Sequence, residues 1–266
     1  MNAIEKNLRT IDTLSELQQR DLWMNRLHPV ARLLSSVIYI VVVASFNKYQ
    51  LWPLLLMGVY PLFGLVVGEL SLKDGLYRMR VVLPLVLAVG ILNPFFDRQV
   101  VGMLGNLEVT GGMISMLTLM VKGIYTVLAL YILIATTSIE DICYALRCLH
   151  VPKQLVMVIL LIGRYIYMLG NEASRITTAY RLRAPRQKGI HYSAWGTLVG
   201  QWLIRSMDRA QVVYESMCLR GFKGDFATSK RDAGLKDVLY PLVWTVILLA
   251  LRFTNVVELL GKMIVR

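Results

Sequence analysis

Apolar segments as long as a lipid bilayer is thick constrain this chain more than any other feature. Several windows lack charged residues over roughly the ~20 positions that a membrane-spanning helix needs. Of the 266 residues, 56% are hydrophobic and only 17% are charged, whereas soluble domains carry about 25% charged residues. Backbone groups find no water in lipid, so such segments must be helical. The sequence therefore predicts an all-α polytopic membrane protein.

Five segments are predicted to cross the membrane, at about 30–46, 51–68, 81–96, 113–136 and 237–255. His28-Pro29 opens the first segment. A charged loop is predicted over Glu69–Arg80, and a Gly-rich loop over Asp97–Gly112. These bounds divide the chain into a lead-in (1–29), four transmembrane helices (30–136), a platform (137–236) and a last transmembrane helix with the C-terminus (237–266).

Two cations interrupt the predicted spans. Lys122 lies in the fourth span and Arg252 in the fifth. A cation that faces lipid is costly. We therefore expect both side chains to snorkel to the interface or to face protein.

The distribution of positive charge predicts the orientation. Between Ser138 and Lys236 the chain has 15 Lys/Arg and 7 Asp/Glu, and its net charge is +12. Cytoplasmic segments of membrane proteins are enriched in Lys and Arg. We therefore expect a multi-pass membrane protein with the N-terminus and residues 137–236 in the cytoplasm. Nucleic acid is disfavoured as a partner, because membrane spans flank the basic block.

The predicted platform contains three amphipathic helices, at about 138–149, 152–183 and 193–219. Pro152 suits a first helical turn, Pro185 follows the end of the second helix, and Gly221 is placed to end the third. The apolar stretch within 154–170 is short for a span and contains Arg164. Its length favours burial or an interfacial position. A span over 154–170 is the alternative, and it would invert the orientation of the later segments.

Motifs for catalysis are missing from the sequence. It has no Walker A loop, no HExxH, no GxSxG and no CxxC. Beyond Asp237 at the start of the fifth, the predicted spans also lack the Asp, Glu and His residues that mark ion pathways. We expect a non-catalytic subunit without a cofactor or metal site, whose basic platform docks partners. A self-contained channel or secondary carrier is the alternative, and an intramembrane enzyme is a third hypothesis.

Four stretches resemble one family. They are RLHPVARLL (26–34), IEDICYALRCLHVPKQL (139–155), GRYIYMLGNEASRI (163–176) and RSMDRAQVVYESMCLRGFKG (205–224). In this order they resemble the transmembrane T component of energy-coupling factor (ECF) transporters, cobalt-type (CbiQ/EcfT family). The resemblance implies a subunit embedded in a prokaryotic cell membrane, which joins two cytoplasmic ABC-type ATPase subunits to a substrate-capturing integral membrane subunit. ATP would be hydrolysed by the partners, and the imported substrate would be cobalt, with nickel or a vitamin as alternatives.

The resemblance also implies two ATPase-docking motifs of Ala-Arg-Gly type, each at the end of a coupling helix. The second motif falls on Leu219-Arg220-Gly221, and the first on Leu182-Arg183-Ala184. Both depart from the pattern at the first position, and the first motif also lacks the glycine. Arg181 or Arg186 could take the place of Arg183, since they lie within one turn.

Other charged residues of the platform are predicted to pair with one another. Glu172 and Arg175 have an i,i+3 spacing, which allows a pair within the helix or with neighbouring groups. Arg164, inside an apolar run, and Arg209, on the polar face of the third helix, are expected to pair within the platform.

Overall fold

The computed structural model describes residues 13, 15–20, 22–96, 100–104, 107–185, 187, 189–224 and 234–253. These residues belong to two compact units. The bundle unit comprises the described residues of Leu17–Ser138 and Arg231–Arg266, and the platform unit those of Met1–Glu16 and Ile139–Lys230.

Residues 15–18 are helical, and the described residues also include ten helices with defined bounds and one two-stranded hairpin. In chain order they are α1 (Trp23–Arg26), α2 (Pro29–Ala44), α3 (Leu51–Leu56), α4 (Val59–Val67), α5 (Leu72–Phe96), β1 (Val100–Leu104), β2 (Leu107–Thr110), α6 (Gly111–Thr136), α7 (Ile139–Cys148), α8 (Lys153–Arg183), α9 (Tyr192–Leu219) and α10 (Leu235–Phe253). The predicted all-α membrane fold is confirmed, including three platform helices at α7, α8 and α9.

Two described helices are long and apolar enough to cross a membrane, namely α6 and α8. Shorter apolar helical segments occupy Pro29–Ala44, Leu51–Val67 and Val82–Asn93. Because α8 itself has the length and apolarity of a span, the interfacial position that the sequence favours for 154–170 stays a prediction.

The predicted loops differ from the structure in two places. Instead of a loop over 97–112, β1 and β2 form an antiparallel hairpin, with Leu104 opposite Leu107. Strand-favouring residues at 100, 101, 109 and 110 outweigh the glycines there. The predicted charged loop over 69–80 is helical from Leu72, because α5 continues along α6. Gly75 permits this approach, since a Cβ there would lie 3.1 Å from Leu128 Cδ2.

The predicted second span is broken into α3 and α4. Pro61 has no N–H for the carbonyl of Met57, four residues earlier. The Tyr39 hydroxyl donates to that carbonyl instead, at 3.1 Å. Tyr125 similarly donates to the carbonyl of Leu55, at 3.1 Å. The Tyr39 hydroxyl thus takes the place of the missing backbone donor, and the Tyr125 hydroxyl adds a second donor to a carbonyl that the Gly58 N–H already binds.

Aromatic residues fill the core of the bundle unit. The Tyr39 and Tyr60 rings stack with centroids 4.4 Å apart. Trp244 of α10 packs edge-on against Tyr60, at 5.0 Å between centroids. These contacts join α2, α4 and α10 around one buried cluster.

The two cations in the spans bind the C-terminal end of α2. Lys122 Nζ donates to the carbonyls of Ala44 (3.2 Å) and Phe46 (2.5 Å). Arg252 donates from Nη1 to the Val42 carbonyl (3.2 Å) and from Nη2 to the Ser45 carbonyl (3.1 Å). Cations are favourable at this end of a helix dipole. The prediction that both side chains face protein or interface is confirmed.

The N-terminal end of α2 is also bound by α10. The His28 backbone N–H donates to Asp237 Oδ1 at 2.7 Å. Because α10 meets α2 at its start through Asp237 and at its end through Arg252, the two helices run parallel. Arg32 of α2 donates to the Thr136 carbonyl at the end of α6. The chain therefore leaves the bundle unit after α6, and returns to it at α10, on the side where α2 begins.

Candidate functional site

The candidate site lies on α8 and α9, which run antiparallel within the platform unit. Near the turn between them, the His191 N–H donates to the Tyr180 hydroxyl at 3.2 Å. Further along, Arg205 Nη1 and Glu172 Oε1 form an ion pair at 2.5 Å. This order of contacts places the ends of α8 and α9 at opposite ends of the helix pair.

The end of α9 is a Schellman motif. Gly221 adopts φ +79°, a conformation that costs little only for glycine. The Phe222 N–H donates to the Met217 carbonyl and the Gly221 N–H to the Cys218 carbonyl, each at 3.0 Å, which is the pattern of this cap. The predicted glycine stop is confirmed, and Arg220 occupies the capping position itself.

The end of α8 has no such cap. The helix ends at Arg183, and Ala184 follows with φ −127° and ψ 62°. The Ala184 N–H donates to the Tyr180 carbonyl at 3.0 Å, and Pro185 then prevents a further helical turn. Arg181 and Arg183 are both exposed in this last turn. The competing prediction for Arg186 falls outside the described residues.

Both predicted docking motifs are exposed. Leu182 has 77% of its surface exposed and Leu219 has 89%. Arg183, Arg220 and Gly221 are exposed too, while Ala184 is half-buried. In the part of the chain that the structure describes, neither arginine side chain forms a hydrogen bond or ion pair. We call these exposed ends, 182–184 and 219–221, the two tips.

The two tips are far apart because the helices are antiparallel. The first tip lies near the start of α9 and the second at its end. The 28 residues of α9 correspond to about 42 Å at 1.5 Å per residue. A single small contact surface therefore cannot hold both tips.

Glu172 of α8 pairs with Arg205 of α9, so this ion pair joins the two helices. The i,i+3 spacing of Arg175 had allowed a pair within α8. Periodicity along one helix could not have identified Arg205, because the pair depends on how α8 and α9 cross. The structure instead places Arg164, Arg175 and Arg209 around two adjoining cavities between the helices, of about 590 and 630 Å³.

Most of the surface of α9 is not packed against other described parts of the chain. None of its residues is buried, although it carries large apolar side chains. Those exposed include Trp195, Val199, Leu203, Ile204, Met207 and Val212. A 28-residue helix with so much exposed apolar surface indicates a binding surface for protein or lipid.

α7 and the first half of α8 are better packed than α9. α7 lies against the first half of α8, where a Cβ on Gly163 would lie 2.8 Å from Ile139 Cγ2. The Cys143 thiol is buried and donates to the Val156 carbonyl at 3.7 Å. Burial, with Glu140 nearby, raises the pKa of this thiol. α7 and the first half of α8 thus form the internal support of the platform.

Metal-ligating side chains do not cluster anywhere in the described ranges: no group of three or more His, Cys, Asp or Glu residues comes together there. The features that the described platform does present are exposed arginines and exposed apolar surface. The predicted docking roles of the tip residues stay predictions.

Comparison with known proteins points to one family. The model of the CbiQ family, described as a cobalt transport protein, matches residues 21–231, a range that includes both tips. The cobalt transport protein CbiQ of Rhodobacter capsulatus is 30% identical over 119 residues, which are 44% of this chain and 46% of that protein. The alignment thus spans less than half the length of that relative.

Proposed function

Because the chain belongs to the CbiQ family of cobalt transport proteins, we propose that it is the membrane coupling subunit of an ATP-driven, ECF-type cobalt importer. In this proposal it hydrolyses no ATP itself. It joins two cytoplasmic ABC-type ATPase subunits to a membrane subunit that captures the substrate.

The separation of the two tips is the observation that carries this proposal. Arg183 and Arg220 lie at opposite ends of an antiparallel helix pair, about 42 Å apart along α9. An exposed arginine offers a planar fork for a carboxylate. Two such forks at this separation suit two grooves on two different subunits, which is the arrangement that an ATPase pair offers.

The cap of α9 makes Arg220 the better-defined of the two docking residues. Gly221 stops the helix sharply, so the chain turns away directly after the arginine. The first tip has no glycine, and Arg181 shares its last turn with Arg183. We therefore propose Arg220, flanked by Leu219 and Gly221, as the principal contact, and Arg183, flanked by Leu182 and Ala184, as the second.

The exposed apolar face of α9 supports a further partner. Residues such as Leu203 and Met207 are exposed along its middle, between the two tips. We propose that the substrate-capturing membrane subunit covers this surface. ATP-driven closure would change the distance between the two ATPase grooves, shift α8 against α9, and so move the partner that rests on them.

The parallel arrangement of α2 and α10 supports the proposed topology. Parallel first and last helices require an odd number of crossings, as in the predicted five-span order. The chain also leaves the bundle unit and returns to it on the side where α2 begins. A cytoplasmic N-terminus would therefore place the ends of the 137–236 segment on the cytoplasmic side, where ATPases are found.

Co-purification tests the proposal most directly. The tagged chain would be extracted from its native membrane in mild detergent, and its partners identified by mass spectrometry. We expect two ABC-type ATPase copies and a small membrane protein with each chain. Absence of any ATPase, together with cobalt transport by the chain alone in liposomes, would favour a self-contained carrier.

A further inference from the structure

A basic groove runs between α8 and α9 inside the platform unit, away from the first tip. It consists of the two adjoining cavities of about 590 and 630 Å³, which share Arg164 and Arg209 in their linings. Arg220 also lines the first cavity, and Arg175 and Arg205 line the second. Five arginines thus face the groove from two helices.

Negative charge in the groove does not balance these arginines. Glu172 is the acidic residue among the described lining, and it is already paired with Arg205. Within the described chain, Arg164 and Arg209 form no hydrogen bond or ion pair. Like charges around one groove repel each other, so an anion in the groove would be bound favourably. Their planar forks suit phosphate in particular.

Apolar side chains also line both cavities. Leu161, Val213 and Met217 line the first cavity, and Met168 and Leu169 the second. The first half of α8 also exposes apolar side chains on the neighbouring face of the helix, at Leu155, Val158, Ile162 and Ile166. A ligand that matches both parts needs a charged head and a long apolar body.

We propose that the groove binds the phosphate of an anionic phospholipid, with the acyl chains along the apolar half of α8. Basic pockets between helices on the cytoplasmic side of a membrane recognise such head groups. An ATPase carboxylate docked on the α9 tip would not reach the whole site. Arg209 lies ten residues before Leu219, which is about 15 Å along the helix. The lipid site therefore goes beyond the proposed ATPase docking and does not depend on it.

Native mass spectrometry of the full chain in neutral detergent tests this site, with phosphatidylglycerol as the anionic probe and phosphatidylcholine as the zwitterionic one. We expect selective binding of phosphatidylglycerol. The R164Q/R209Q variant should bind it about 25-fold more weakly, at about fivefold for each arginine removed. The matched control, K73Q/K223Q, removes two exposed cations outside the groove and should bind within about twofold of the parent chain.

Arg164 interrupts the apolar half of α8, so the R209Q variant alone serves as a second test that leaves this run unchanged. It should retain its helical circular dichroism and bind phosphatidylglycerol about fivefold more weakly. Equal binding by R209Q and the parent chain, or equal binding of the two lipids, would overturn the proposal. Displacement of phosphatidylglycerol by millimolar inorganic phosphate would also overturn it, since the groove would then be a site for free anions. If one of these outcomes overturns the lipid site but ATPase subunits still co-purify with R209Q, only the lipid proposal fails and the proposed coupling function stands.

Discussion

Three charged residues of the bundle unit and four arginines of the platform unit are used in opposite ways. In the bundle unit, Lys122, Arg252 and Asp237 bind backbone groups at the two ends of α2. In the platform unit, Arg164, Arg183, Arg209 and Arg220 form no hydrogen bond or ion pair with the described chain. A charge that is bound internally stabilises the fold, whereas one that is left exposed is available to a partner.

The helices of the two units also differ in whether they share a buried core. α2, α4 and α10 bury Tyr39, Tyr60 and Trp244 against one another, but α9 buries no residue. Both units expose apolar side chains, such as Val66 and Leu85 in the bundle unit. The buried aromatic core is what α9 lacks, and a partner that covers α9 fits the coupling role that we propose.

Replacement of Arg220 by alanine should have the largest effect. We expect cobalt uptake to fall about a hundredfold, because removal of one partner of a hydrogen-bonded charge pair costs about 2–5 kcal/mol. Uptake of labelled cobalt by cells would be measured alongside the amount of chain in the membrane. Lys223→Ala, an exposed cation three residues further on, is the control and should keep uptake within about twofold. Parental uptake by Arg220→Ala would refute the docking role.

Replacement of Arg252 by methionine tests the internally bound charges. The change leaves the Val42 and Ser45 carbonyls without this donor, so we expect a loss of about 1.5–3 kcal/mol in stability. Thermal unfolding in detergent would show a lower midpoint. Arg183→Met, in the platform, should change stability by about 0.5 kcal/mol or less. Equal midpoints for the two variants would contradict the contrast between the units.

The three cysteines test how far packing extends within the platform. Cys148 and Cys218 are exposed and Cys143 is buried. Because its raised pKa leaves less thiolate at neutral pH, Cys143 should react with a maleimide at about a tenth of the rate of the other two, or more slowly still. Peptide mass spectrometry after labelling at pH 7 would measure the three rates. Similar rates for all three thiols would show that α7 does not pack on α8 in solution.

Adding one methyl group to a glycine in each unit should give the smallest effects, with opposite signs. A Cβ on Gly64 would lie 2.8 Å from Ile132 Cδ1, whereas one on Gly196 has no neighbour within 4 Å. We expect Gly64→Ala to lose about 1 kcal/mol through overpacking, after its gain in helix propensity. Gly196→Ala should gain about 0.5–1 kcal/mol from that propensity alone. A lower unfolding midpoint for Gly196→Ala would show that α9 is packed in solution, and a higher one for Gly64→Ala would show that Ile132 gives way.

Local patterns were sufficient for much of the fold. The predicted starts of α2 and α8, beside His28-Pro29 and Pro152, are within one residue of those observed, and Gly221 ends α9 as expected. Proline and glycine act through their own backbone geometry, so neighbours in sequence suffice. The loops were predicted less well, because the hairpin of β1 and β2 depends on pairing between strands and the first turns of α5 depend on packing against α6.

The features of the candidate site also separate into those that the sequence predicted and those that depend on how the helices pack. The tip residues were predicted from the sequence and the family resemblance, and the structure adds that they are exposed and about 42 Å apart. Arg205, as the partner of Glu172, and the groove around Arg164 and Arg209 were not predicted. They depend on side chains more than 30 positions apart, as in the pair of Glu172 with Arg205.

The sequence by itself determined the class of protein, the positions of most helices and the family, since uncharged apolar runs and helix-ending residues act locally. Only the tertiary structure decided which charges are bound and which are left exposed. Lys122 and Arg164 each interrupt an apolar helix in the sequence, yet Lys122 meets the carbonyl end of α2 and Arg164 faces an open groove. The difference arises because the binding of a charge depends on what the neighbouring helix places within about 3 Å.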